Sequence, residues 1–198
     1  MGLTQLQRLE LNKRTDKILH APSNAPAGGQ QLEIAFVADV SGDIDEIHQS
    51  IQDAVASLKS HDTIFQNVRS NLIYWGNGKI ILRAAPMPII QMGRAFEGIE
   101  NIVRGEDIVE NIVNNKDKNV DKPPYFEDLC EYLKLYGARC RCVLLFLDET
   151  YEEFEKRHFR VKDTEKAKEN LNPFLKYRLL VVAKDKMVTG SELFMKLI

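Results

Sequence analysis

Glu33-Ile34-Ala35-Phe36-Val37-Ala38-Asp39-Val40-Ser41-Gly42-Asp43 is a run of strand-forming residues that stops at an aspartate, crosses a short acidic loop and gives way to a helical pattern. A strand that is apolar almost throughout, without polar alternation, is one covered on both faces. That points to an α/β sheet with helices above and below. A carboxylate just past the end of such a strand sits where open α/β sheets bind their ligands. The loop D-x-S-G-D at that place can offer several hard oxygens to one cation.

Outward from this stretch the chain alternates. Residues 32–38 read as a strand. Residues 45–60 read as a helix, with Ile47, Ile51, Ala54, Val55 and Leu58 on one face. Residues 71–75 form a second strand, and the turn Gly76-Asn77-Gly78 before a third strand at 79–84 predicts a hairpin. Helices follow over 89–103 and 107–114, a polar loop over 115–122, and a helix over 125–136. Residues 142–147 are a fully apolar strand closed by Asp148. Helices at 149–157 and 164–171, a strand at 178–183 and a helix at 191–197 complete the chain. Strands separated by helices pair in parallel. The expected fold is α/β: a Rossmann-like three-layer α/β/α sandwich on a mainly parallel central sheet, with one antiparallel edge strand. Upstream, Leu3, Leu6, Leu9 and Ile18 mark a short amphipathic helix, and the Pro- and Gly-rich segment 21–29 a linker. The division expected is an N-terminal helix and linker over 1–30 and an α/β domain over 31–198.

The chain has 198 residues, suited to one large α/β domain or to a domain with an extension. Its net charge of −2 points away from nucleic acid and from membrane surfaces as partners. Residues 1–19 have no apolar core and do not read as a signal peptide. No apolar run approaches the roughly 20 residues of a membrane span. Cys130, Cys140 and Cys142 are an odd number without a CxxC spacing, and no histidine stands at ligand spacing beside them. They read as buried thiols in a reducing compartment, and the expected location is cytoplasmic. Neither GxGxxG nor GxxxxGK[ST] is present. His48 and Ser50 form no nucleophile pair with an evident acidic orienter.

Two apolar strands end in aspartate, at Asp39 and Asp148. In a parallel sheet both emerge at the same edge, roughly 5–10 Å apart if the strands are neighbours. Carboxylates this close repel unless a cation or a proton intervenes. The competing structural role is helix capping, which applies most strongly to Asp43, just ahead of the helix at 45.

The loop Asp39-Val40-Ser41-Gly42-Asp43, the strand at 71–76, the segment Val120-Asp121-Lys122-Pro123-Pro124-Tyr125 and the strand ending at Asp148 together resemble von Willebrand factor type A domains over most of residues 31–185. In that family the first loop reads D-x-S-x-S, and a metal-ion-dependent adhesion site holds Mg²⁺ or Mn²⁺ with an open position for a partner's carboxylate. The resemblance implies a metal set of Asp39, Ser41, Asp43, Asp121 and Asp148. An all-oxygen set favours Mg²⁺, Mn²⁺ or Ca²⁺ over Zn²⁺. Two departures make the site degenerate. Asp43 replaces the second serine, and Pro124 stands where the integrin-β-like branch has a glutamate. Alignment at Ile89-Ile90 instead also supplies no ligand. A third carboxylate turns an occupied site negative and disfavours an acidic side chain from a partner. Either the metal stays without recruiting acidic ligands, or the site is vestigial and its aspartates are caps. The function implied is a non-enzymatic protein-binding or scaffold module working within a complex. The alternative is a Mg²⁺-dependent phosphoryl-transfer hydrolase of haloacid-dehalogenase type with Asp39 as nucleophile. That chemistry needs a general acid where Ser41 stands.

Overall fold

β1 (Glu33–Asp39) is buried at every residue, and β4 (Cys140–Phe146) at every residue but Arg141. They lie side by side and parallel, with Ala35 opposite Val143 and Ala38 opposite Phe146. The computed structural model describes residues 2–21, 32–40, 42–61, 68–76, 79–92, 126–136, 140–158 and 175–196. β2 (Arg69–Gly76) adds in parallel outside β1, and β5 (Leu179–Val182) in parallel outside β4. The edges are antiparallel: β3 (Lys79–Pro88) on β2 and β6 (Met187–Thr189) on β5. The strand order is β3-β2-β1-β4-β5-β6, a doubly wound arrangement whose direction reverses between β1 and β4.

Five helices among the described residues cover the sheet: α1 (Gln5–Leu19), α2 (Ile44–His61), α3 (Phe126–Tyr136), α4 (Tyr151–His158) and α5 (Gly190–Lys196). On one face, Leu11 and Ile18 of α1 and Ile47, Ile51 and Leu58 of α2 pack on Ile34, Phe36, Leu144 and Phe146. On the other, Phe126 and Leu129 of α3, Phe154 of α4 and Leu193 of α5 pack on Val37, Trp75 and Leu145. The α/β/α sandwich expected from the sequence is the fold observed.

Three details differ from expectation. The second antiparallel edge, β6, has three residues, too short to register as an alternating run; the turn that folds it back is closed by the Ala183 N–H bond to Lys186 O at 3.0 Å. α1 is phased differently. Leu6 and Leu9 are exposed, while Leu11, Asn12, Thr15, Ile18 and Leu19 are buried. Steps of three drift off a 3.6-residue stripe, whereas 11, 15 and 18 stay on it. A capping box between Thr4 and Gln7 starts the helix. The Leu3 N–H donates to Asp53 Oδ2 at 2.9 Å and Ser57 Oγ to Asn12 Oδ1 at 2.9 Å, so α1 is fastened along α2. Finally, Glu33 pairs with Cys140 but Ile34 with Cys142, so Arg141 is an extra residue. This bulge sends Cys140 and Cys142 to opposite faces, although residues two apart in a regular strand share one.

All three cysteines are buried free thiols, as expected. Burial pushes the Cys140 thiol up to about 12, with Glu33 adding to the shift, and burial likewise raises Cys142. Neither forms a thiolate at neutral pH. No helix among the described residues is long and apolar enough to cross a membrane. The 3₁₀ turn Ile89–Gln91 stands at the start of the helix expected over 89–103. Residues 93–103 of that expected helix lie outside the described residues, as do the elements expected at 107–114, 115–122 and 164–171, residues 22–29 of the linker expected over 21–29, and Ser41 and Asp121.

Candidate functional site

The crevice between β1 and β4, at their carboxyl ends, is the place an open α/β sheet offers for function. Three loops build it, following β1, β4 and β5. The Leu147 N–H reaches Val182 O at 3.0 Å, the Lys184 N–H reaches Glu149 O at 2.9 Å, and Asp185 Oδ1 accepts the Tyr151 N–H at 2.9 Å. The last bond, with the Thr150–Glu153 capping box, starts α4 at a fixed distance from the sheet edge.

The aspartates come to the same edge but face apart. Asp39 continues the phase of Ala35 and Val37, toward α4; Asp148 continues that of Leu144 and Phe146, toward α1 and α2. Their contacts follow. Asp39 is 2 % exposed, and its Oδ2 accepts from Arg157 Nη2 at the end of α4. The same Nη2 donates to Glu149 Oε1. The acidic pair at this edge is therefore Asp39 with Glu149, and a guanidinium bridges it. On the other face, Asp148 Oδ2 accepts the Asp43 N–H at 2.8 Å, and Oδ1 lies 3.0 Å from Lys184 Nζ. Asp148 raises the Lys184 ammonium above its ordinary range. Gly42 permits the first contact, since a Cβ there would lie 2.6 Å from the Asp148 Cβ.

Asp43 Oδ1 accepts the N–H groups of Asp45 at 3.0 Å and Glu46 at 3.4 Å. It is the N-cap of α2, the structural role weighed for it from sequence. His48, without a catalytic partner in the sequence reading, is bonded to the buried Tyr74 hydroxyl at 2.7 Å.

Among the described residues, each of the three aspartates of this set already has a donor on its carboxylate. An arginine holds Asp39, a backbone N–H and a lysine hold Asp148, and a helix start holds Asp43. Positive charge is already supplied by side chains. No group of three or more His, Cys, Asp or Glu suited to a metal occurs among the described residues. Arg157 and Lys184 escape sequence reasoning because each acts through a partner distant in the chain, and Glu149 because it joins the site through Arg157; only Gly42, inside the acidic loop, carries a local signal. No family model, curated protein or solved structure matches the chain.

The Glu149 carboxyl at this edge is shifted by its surroundings. Burial pushes its carboxyl up to about 7, and Asp39 adds to the shift while Arg157 opposes it. A carboxyl whose pKa rises on folding binds its proton more tightly in the native state. Native stability therefore falls as pH rises from the unfolded value near 4.5 through about 7. Glu149→Gln keeps an acceptor for Arg157 and removes this titration. Relative to wild type, the variant is expected to gain about 1–2 kcal/mol between pH 4.5 and 8, after allowance for partial exposure. Urea melts at matched pH values check it, and a difference independent of pH would contradict the assignment.

Proposed function

We propose that this chain is a non-catalytic protein-binding module of the von Willebrand factor A type, whose carboxyl edge binds without a divalent cation. The observation that carries the reading is the Arg157 guanidinium on the buried Asp39 carboxylate. In the family that the sequence resembles, a metal at this loop draws in an acidic side chain. Here the positive charge is internal and already shared between Asp39 and Glu149. The same contact weighs against Asp39 as a phosphoryl-accepting nucleophile, since its carboxylate is engaged.

A groove of 1000 Å³ lies on the α1–α2 side of this edge. Its walls carry Asp43, Glu46, Asp53 and Asp148 against Arg8 and Lys184, over apolar surface that includes Leu3 and Phe146. Four acids against two bases favour a partner segment carrying Lys or Arg beside an apolar residue. Fluorescence polarisation with labelled peptides tests this. A basic amphipathic peptide is expected to bind equally in Mg²⁺ and in EDTA, to weaken several-fold in Glu46→Gln, and to weaken with salt. Preference for an acidic peptide, or release by EDTA, would sink the proposal.

A further inference from the structure

A second cleft, of 650 Å³, opens at the other end of α1, between that helix, residues 176 and 177 ahead of β5, and the β6–α5 junction. Its charge is opposite to that of the groove at the carboxyl edge. Lys13, Arg14, Lys17 and Lys176 line it against Glu10 and Glu192. The excess of two positive charges (four bases less two acids) stands out in a chain of net charge −2.

The two acids are committed to one base. Arg14 lies 2.9 Å from Glu10 and 3.6 Å from Glu192, which ties α1 to α5 and fixes the cleft's width. Glu192 is further held by the capping box with Thr189. Lys13 and Lys17 make no ion pair among the described residues, and they stand one helical turn apart on the wall of the same cleft. Like charges at this spacing repel. A multiply charged anion between them turns the repulsion into attraction. Tyr177, 48 % exposed, contributes an aromatic ring to the wall, with Lys176 Nζ 5.2 Å from its centroid. The volume falls within the range of small-ligand sites.

We propose that this cleft binds a small phosphate-bearing molecule, its phosphates between Lys13 and Lys17 and a flat ring against Tyr177. The reading is independent of the groove at the carboxyl edge. Calorimetric titration of the full chain with inorganic pyrophosphate at low ionic strength is the test. A saturable one-to-one isotherm is expected. It should weaken at least tenfold in the Lys13→Ala/Lys17→Ala double variant and stay unchanged in Lys156→Ala, an exposed lysine on α4. ADP should bind more tightly than pyrophosphate, with the margin lost in Tyr177→Ala. Circular dichroism of each variant checks that the fold is kept. Absence of saturable binding, equal affinity in the double variant, or equal weakening in Lys156→Ala would overturn the site. ADP binding no tighter than pyrophosphate would overturn the role given to the ring.

Discussion

Replacing Arg157 with alanine is expected to destabilise the fold by about 3–5 kcal/mol, the cost of leaving a buried charge without its partner. Asp39 is 2 % exposed and ends β1, which lies between β2 and β4 in the sheet. Glu149 loses its ion pair in the same substitution. Arg157 is itself 28 % exposed, so water enters when it is removed and holds the loss toward the lower figure. The contact, not the arginine alone, is the cause. In an Asp39→Asn background, where the charge is gone, Arg157→Ala should cost less than half as much. Chemical denaturation of the four proteins measures the coupling. Equal costs in both backgrounds would mean that Arg157 contributes through packing and not through Asp39.

A comparable loss is expected at Phe36. Its ring is fully buried in β1 and stacks on Phe146 of β4 with centroids 6.2 Å apart. Phe36→Ala opens a cavity under α1 and α2, on the face of the two strands that carry the candidate site, and should cost about 3–5 kcal/mol. In a domain of this size that lowers the melting temperature by roughly 10 °C. Phe36→Leu keeps most of the volume and should lose less than half of that. A thermal scan in which alanine and leucine behave alike would show that the two central strands are less tightly packed than described.

The fold was legible because its two central strands are apolar almost throughout and the helix between β1 and β2 repeats its apolar residues at 3.6. The edge strand β6 was not, because three residues carry no period. The sheet edge that carries both aspartates was legible, but not its wiring. Asp39 and Asp148 were found from the ends of their strands. That they face apart depends on the register Ala38 opposite Phe146, which no single strand reveals. The Arg141 bulge is hidden for the same reason, since it exists only relative to β1. Arg157 closes the Asp39 site from the far end of a helix, at a distance that only the packing of α4 on the sheet determines. Asp43 was ambiguous by nature, since the oxygen that could approach a cation is also the one that caps a helix.

The claim on which the functional reading rests is that side-chain cations, not a metal, neutralise this edge. Calorimetric titration of the wild-type chain with Mg²⁺, Mn²⁺ and Ca²⁺ at millimolar concentration tests it most directly. The account predicts no saturable heat from any of the three. Saturable binding of any one of them that Asp39→Ala abolishes would contradict it, because the carboxylate would then be open to a metal despite Arg157.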